Sequence, residues 1–460
     1  MKTVVLLNPP GKQLYLRDYY CSKISKTGYL YHPTELLVLS GILSEHYNIK
    51  VIDAIAEQLS AEHCYEKIKK LDPLAIVFIT GSVSYHEDFP FLRSIKETLP
   101  NTLLIGSGDI LNDNHYEIMD KEKWLDAILL DFTTHDIIQY LQGDQPNNMV
   151  YRLNNETIVK PRIREKGIEF SIPIPRYELF PNNKYRYPFV RGAPFATVLT
   201  DYGCPYKCSF CIMSQIGFKW RSVENVMEEL QYIKSLGMRD VYFNDQTFGA
   251  NRKRAVQLLN QMIDSQLNFR WMCFSRGDVT TLELLKLMKK AGCHTIIYGV
   301  ESGNNDILKK YQKAITKEKV REAFAHCKQL QIRIAATFIL GLPEDTVETI
   351  EETISFAKEI NCDFVSFNVA VPRIGTELRQ EAIDSNLAED VQEMDQSGNY
   401  PIMDTHNLSK QQIHALHKRA LWEFYSRPHY LFNRLFSIKT FYELKSNLHD
   451  LTGIVKSVLK

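Results

Sequence analysis

TVLTDYGCPYKCSFC, residues 197–211, ends an apolar run in a Gly-Cys-Pro turn and places Cys204, Cys208 and Cys211 within eight residues. A structural zinc takes four closed ligands, usually Cys with His. No histidine occurs between His135 and His294, and the next cysteine is Cys273, so no fourth ligand stands nearby. Three soft thiolates suit an iron–sulfur cube, which ordinarily takes four cysteines. With three, one iron keeps an open coordination position, and open positions are for chemistry. A zinc knuckle, a purely electron-transferring cluster and three ordinary thiols are the competing readings of the same residues.

Outward from this stretch, six apolar runs alternate with helical patterns. They are FATVLTDYG (195–203), DVYFND (240–245), FRWMCFSR (269–276), HTIIYGVES (294–302), IAATFILG (334–341) and DFVSFNVAVP (363–372). VENVMEELQYIKSLG and VETIEETISFAKEI are typical of the segments between them. Six consecutive units fit a partial barrel whose reactive residues lie on loops at the strands' C-terminal ends. An earlier series, TVVLLN (3–8), IKVIDA (49–54), LAIVFIT (74–80), TLLIGS (102–107) and DAILLD (126–131), implies a doubly wound parallel sheet. The expected fold is α/β. An N-terminal Rossmann-like doubly wound domain (1–145) and a linker (146–193) precede a partial (β/α)6 TIM-type barrel (194–380), and a helical C-terminal region (381–460) follows.

The chain has 460 residues, with 55 Lys plus Arg against 55 Asp plus Glu, so no global field draws it to nucleic acid or anionic lipid. The N-terminus MKTVVLLNPPGK lacks the apolar length and cleavage site of a signal peptide, and no run approaches a membrane span. Nine cysteines, an odd number spread over a long chain, do not form a disulfide framework. A reducing cytoplasm is the expected location. From residue 410 on, nine Lys or Arg stand against three acidic residues, with aromatics interleaved in LWEFYSRPHYLFNRLF. This allows a surface-active helix with peripheral membrane contact, or a helical cap with snorkelling cations, the duller and favoured alternative.

C-x3-C-x2-C after a barrel strand resembles the signature of radical S-adenosylmethionine (SAM) enzymes. VYFNDQTFGANRKRA, the stretch WMCFSRGDVTTLELLKLMKKAGCHTIIYGVESGNNDILKKYQKAI, ATFILGLPEDT and VAVPRIGTEL continue the resemblance from 195 to about 380. It implies that Cys204, Cys208 and Cys211 hold a [4Fe–4S] cluster whose unique iron chelates SAM. By position, Asn244 and Asp245 correspond to the element that bonds the SAM amino group, with an Asn where the family usually has an acidic residue. Glu301 and Ser302 would bind the ribose and the methionyl carboxylate. Lys313 and Arg276 would face the same cavity, and Ile339 and Gly341 would lie along adenine.

A Rossmann-like domain ahead of such a barrel is similar to the cobalamin (B12)-binding group of radical SAM enzymes. The histidine motif D-x-H-x-x-G is absent, so the resemblance implies a cobalt without a histidine ligand. Asn8, Thr80, Gly81, Ser82, Ser84, Gly106 and Gly108 are the candidates for holding the corrin and its nucleotide tail. Ordinary β-α turns are the alternative at each of these loops. The segment from Asn8 to Pro33 is long and rich in Tyr, Lys and Arg, which suits a flap over the active site or, equally, a surface excursion. The activity implied is reductive SAM cleavage to a 5′-deoxyadenosyl radical, with a methyltransferase outcome at an unactivated carbon. A radical rearrangement, cyclisation or dehydrogenation without cobalamin is the alternative. The implied partners are a small-molecule substrate, such as a lipid or natural-product intermediate, and a reductant of the flavodoxin or ferredoxin kind.

Overall fold

The computed structural model describes residues 1–154, 156–164, 166–390, 394–395, 401–436, 442 and 444. They divide into two compact units. One comprises Met1–Ser25, Leu30–Glu165 and Phe170–Tyr185; the other comprises Lys26–Tyr29, Lys166–Glu169 and Arg186–Lys460.

The first unit is built on a seven-stranded sheet in the order Asn48–Asp53, Thr3–Asn8, Ala75–Ile79, Leu103–Ser107, Ala127–Leu129, Met149–Leu153, Glu156–Lys160. The first five strands are parallel, and the last two form a hairpin antiparallel to them. Val4 to Leu7 and Ala75 to Ile79 are fully buried, because helices cover both faces of the parallel part. The direction of winding reverses between Thr3–Asn8 and Ala75–Ile79, which opens a crevice at their carboxyl ends. The five apolar runs read from the sequence are these five strands. The stretch expected as a linker, 146–193, is instead divided. Its hairpin extends the first sheet, because Met149, Val150 and Tyr151 are apolar and need cover. Tyr185 ties the far end back through a 2.8 Å hydrogen bond from its hydroxyl to Asp53.

The segment after Asn8 folds into the carboxyl ends of this sheet. Tyr15–Leu16 pairs with Lys23–Ile24, and Arg17, Asp18, Tyr19 and Ser22 are buried. Arg17 forms a fully buried ion pair with Asp88 at 2.5 Å and also donates to Ser84, Asn8 and the carbonyl of Pro9.

The second unit holds a six-stranded sheet of parallel strands in chain order: Phe195–Val198, Asp240–Phe243, Arg270–Ser275, Cys293–Glu301, Arg333–Leu340 and Phe364–Val369. The intervening helices begin on side-chain caps. Ser222, Asn251, Thr281, Thr316 and Thr346 each accept a backbone N–H of the first turn, worth about 1 kcal/mol apiece. The run 195–203, expected as one strand, is two. The barrel strand stops at Val198, and Asp201–Gly203 leaves it to pair antiparallel with Phe218–Arg221.

The C-terminal helix Lys410–Tyr425 covers the outer strand Phe364–Val369: Tyr425 donates to the Val365 carbonyl at 2.6 Å. Arg427 lies over Phe424 and Arg434 over Phe364, at 4.2 and 4.0 Å from the ring centroids, so these cations cap aromatic surface. Helix Pro428–Phe436 follows, and nearly all of the expected helical region beyond 436 lies outside the described residues. Among the described residues no helix is long and apolar enough to cross a membrane.

Arg17→Met leaves the buried Asp88 carboxylate without its cation and is expected to cost about 3–5 kcal/mol. A lower denaturant midpoint reports this loss, and Arg17→Met with Asp88→Leu together recover only part of it, because the Thr80 and Ser84 hydroxyls lose their acceptor.

Candidate functional site

The cysteine loop starts where the first barrel strand is bent. The Asp245 carboxylate accepts the backbone N–H groups of Thr200 and Asp201 at 2.6 and 2.9 Å and the Thr200 hydroxyl at 2.6 Å. Arg254 locks the far side through Thr200 Oγ1 at 2.9 Å and Asp201 Oδ1 at 3.0 Å. Gly203 then turns at φ +81°, where a Cβ would stand 2.0 Å from the Gly217 carbonyl oxygen. The loop is pinned further on by Ser209 N–H to the Tyr311 carbonyl and Leu378 N–H to the Ser209 carbonyl, both at 3.2 Å.

On this frame Cys208 is buried and Cys204 and Cys211 are half-buried. Burial pushes the Cys204 thiol up and the Cys211 thiol up to about 12. Thiols so placed become thiolates only against added positive charge, which a bound metal supplies. Among the described residues, the set of three potential ligand atoms lying within 4.8 Å of one another is Glu344, Glu381 and His406, where Lys310 already bridges the two carboxylates. The three cysteines do not form such a set. Thiolates on one tetrahedral ion would stand about 3.8 Å apart, so the wider spread and the missing fourth ligand fit a multi-iron cube.

Two cations close on the loop. Lys313 is buried, and its ammonium stands 2.7 Å from Glu301. Burial works against its charge, but Glu301 and Cys208 outweigh that, and its pKa lies above the ordinary lysine range. Glu301 ends the fourth strand at φ +69°, just after a register shift that re-aims it. A Cβ on Gly299 would stand 2.3 Å from Glu301 Oε1 and 3.0 Å from Lys313 Nζ, so only glycine leaves room for the pair. Arg276 is buried against Cys208, Asp278 and the carbonyl of Lys313.

The remaining positions are distributed as follows. Asn244 is buried, with its Oδ1 accepting from the Tyr242 hydroxyl at 2.5 Å. Asp245 is engaged in holding the strand bend rather than open to a ligand. Ser302 accepts the Asn304 N–H at 3.1 Å and faces the Thr353 hydroxyl at 3.3 Å. Ile339 is half-buried on the fifth strand, and Gly341 turns at φ +86° with its N–H on Asp345 at 3.0 Å. Sequence reasoning passed over Gly299, Tyr206 and Thr247, which packs beside the Cys204 sulfur at 3.8 Å. A glycine inside a strand two residues before a carboxylate was the available signal for Gly299.

In the first unit, the residues nominated for cobalamin do gather at the strand ends, but their side chains bond the chain itself. Asn8 bridges Asp53 at 2.8 Å and Arg17 at 2.7 Å. The hydroxyls of Thr80 and Ser84 donate to Asp88, each at 2.7 Å. Ser82 N–H and Ser22 meet on Asp109. A Cβ on Gly81 would strike Ser22, one on Gly108 the Thr80 carbonyl, and one on Gly106 Leu111 and Phe78. Two acids beside them are unsatisfied. Neither oxygen of the buried Glu35 has a hydrogen-bond partner among the described residues, and Asp18 Oδ1 has none. Burial holds Asp18 up to about 7 and Glu35 well above the carboxylate range, each raised further by neighbouring acids.

Residues 198–357 match the family model described as the radical SAM superfamily. A chain named as an uncharacterized methyltransferase of Pyrococcus horikoshii is 31% identical over 417 residues, covering 88% of this chain and 90% of that one. The anaerobic magnesium-protoporphyrin IX monomethyl ester cyclase of Cereibacter sphaeroides is 26% identical over 80% of this chain and 60% of its own. Two solved folds are alike at 16% identity. The cobalamin-dependent SAM radical enzyme OxsB, bound to aqua-cobalamin and SAM, has a TM-score of 0.72 over 100% of this chain and 72% of its own. The radical SAM methyltransferase TsrM of Kitasatospora setae, with cobalamin and a [4Fe–4S] cluster, has 0.65 over 84% and 75%.

The Asp18 proton makes a testable difference. Unfolded aspartate titrates near 3.9, so between roughly pH 4 and 7 the folded chain keeps a proton the unfolded chain releases. Stability therefore falls as pH rises through that window, by up to about 1.4 kcal/mol per unit for one proton, and levels off above it. Denaturant titrations at pH 5 and 7.5 should show a smaller fall in Asp18→Asn than in the wild type; parallel falls would exclude Asp18 as the proton holder.

Proposed function

Since this chain belongs to the radical SAM superfamily of enzymes, we propose that it methylates an unactivated carbon of a small-molecule substrate, with cobalamin as the second cofactor. The single observation that carries the radical half of this reading is the three-thiol loop with no fourth ligand, set against the Glu301–Lys313 pair. The sequence-related methyltransferase and the fold shared with OxsB and TsrM support the methyl and cobalamin half.

In this reading Cys204, Cys208 and Cys211 hold the cluster. With SAM it supplies one-electron cleavage of the carbon–sulfur bond to methionine and a 5′-deoxyadenosyl radical. The residues of the chain do the binding and orienting. Lys313, kept charged by Glu301, offers its ammonium to the methionyl carboxylate. Glu301, re-aimed by its left-handed backbone, accepts from the ribose hydroxyls, with Ser302 beside it. Asn244 presents an amide at the end of the second strand, where the SAM amino group is held. Ile339 and Gly341 give adenine an apolar strand end, and Gly341 brings its backbone close without a side chain. The electron comes from a one-electron donor protein, for which flavodoxin or ferredoxin is the chemical class.

Cobalamin supplies methyl delivery when bound. Its carboxamides would pair with the unpartnered oxygens of Glu35 and Asp18 at the carboxyl ends of the first sheet, which the segment after Asn8 covers in this structure. A second reading keeps the radical chemistry and gives the first unit a substrate or partner to bind. It is favoured by the engagement of Asn8, Thr80, Ser82 and Ser84 with their own chain.

Anaerobically reconstituted wild type should carry roughly four iron and four sulfide per chain and release 5′-deoxyadenosine with dithionite and SAM. Cys208→Ala should remain folded and release none; full release in that variant would refute the assignment. Desalting after incubation with hydroxocobalamin separates the two readings, since a retained corrin band supports the first and its loss the second.

A further inference from the structure

The geometry points to Arg276 as the residue that sets the reduction potential of the cluster, acting through the Cys208 sulfur; this rests on the three-cysteine cluster of the reading above. Sequence position alone put Arg276 among the SAM contacts. Its donors are instead directed elsewhere. Nε and Nη2 grip both oxygens of Asp278, at 3.0 and 3.1 Å. Nη2 also donates to the Lys313 carbonyl at 2.7 Å. The guanidinium plane lies over the Tyr206 ring, 3.8 Å from its centroid, within the cysteine loop itself. What remains is Nη1, which donates to Cys208 Sγ at 3.9 Å.

Each of these contacts removes a freedom. The fork on Asp278 fixes the plane, the Lys313 carbonyl fixes its rotation, and Tyr206 fixes its height above the loop. Arg276 is 4% exposed and Cys208 7%, so little water screens the charge. Arginine cannot lose its proton here, and burial does not overcome the support of Asp278 and Cys208. The result is a permanent cation held against one corner of the thiolate set.

Reduction places one electron, from an external one-electron donor, on a cluster ligated by three thiolates. It adds a second net negative charge to an assembly that already carries one. Hydrogen bonds to the ligand sulfurs and local charge are the levers by which a protein moves such a potential. A fixed guanidinium on Cys208 stabilises the reduced state more than the oxidised one, so it raises the potential. The partner Asp278, 28% exposed, opposes it by partial neutralisation. Charge therefore makes opposite predictions for the two residues, whereas a merely structural role for the Arg276–Asp278 fork makes the same prediction for both.

The test is an anaerobic dithionite titration of the reconstituted full chain without SAM, reading the electron paramagnetic resonance signal of the reduced cluster. Iron and sulfide content serves as the loading control. At a fixed poise, Arg276→Met is expected to lower the ratio of reduced to oxidised cluster about tenfold, equivalent to 59 mV for a one-electron couple. Arg276→Lys, which keeps a charge without the fork, should fall between. Asp278→Asn should raise the ratio. A fully loaded Arg276→Met with the wild-type potential overturns the inference, as does a lowered or unchanged ratio in Asp278→Asn. Should Arg276→Met fail to load iron, the sign of the Asp278→Asn shift decides alone, a rise upholding the inference and a fall or no change overturning it. A wild-type chain that takes up no cluster would sink the proposed function itself, a distinct outcome.

Discussion

The carboxylate of Asp245 takes two successive backbone N–H groups and a hydroxyl from Thr200 and Asp201, and the chain turns on that contact. That contact sits where the run from Phe195 departs from the barrel wall. With it, the chain leaves at Val198, forms the short hairpin with Phe218–Arg221, and delivers the loop over the strand ends. Arg254 makes the arrangement electrically tolerable. Burial raises both Asp201, to about 8, and Asp245, and the guanidinium opposes that rise in each. A buried charge network of this kind is expensive to break because any one deletion leaves the others unpaired. The acid at the end of the second strand thus fixes where the loop begins.

Around that frame, charge is apportioned by distance. Lys313 is tied to Glu301, and Arg276 to Asp278, yet both cations face Cys208. Their acidic partners support the charge of both cations in a dry site and are themselves more exposed than the cations. Glu301 holds its place at the cost of a left-handed backbone, of order 1–3 kcal/mol for a non-glycine residue. That strain persists because the register shift and the bare Gly299 leave the carboxylate no other space. The strand end thus holds one carboxylate and one ammonium in fixed positions.

Much of this was legible in the residues. The strand runs at 3–8, 49–54, 74–80 and 102–107, and those at 240–245 and 334–341, are apolar and short, bounded by turn residues, and a strand buried on both faces reads no other way. C-x3-C-x2-C is legible because the missing fourth ligand is itself information. What could not be read depends on contacts between residues far apart in the chain. The split of 195–203 follows from Asp245, 45 residues away, and nothing local at Thr200 announces it. Arg276 is a strand-end arginine whether it meets a ligand or Cys208, and only the placement of Asp278 and Tyr206 decides. A hairpin could be read in the polar stretch 146–193, but its joining the first sheet could not, because one face of an edge strand meets solvent.

The two units share a physical feature that composition does not show: each holds ionisable side chains neutral by burial. In the second, burial holds Cys204 and Cys211 as neutral thiols until positive charge is added. In the first, Glu35 and Asp18 lie buried with oxygens that have no partner among the described residues, although every nominated hydroxyl nearby has found one. Unsatisfied buried polar atoms are rare in native interiors and each costs about 1–3 kcal/mol. Any ligand that pairs with these atoms of the first unit stabilises it, because it favours the folded state alone. In the reading proposed above, binding and folding are coupled at both sites in the same sense. A metal supplies the charge that makes the thiols thiolates, and a ligand pairs the buried acid oxygens.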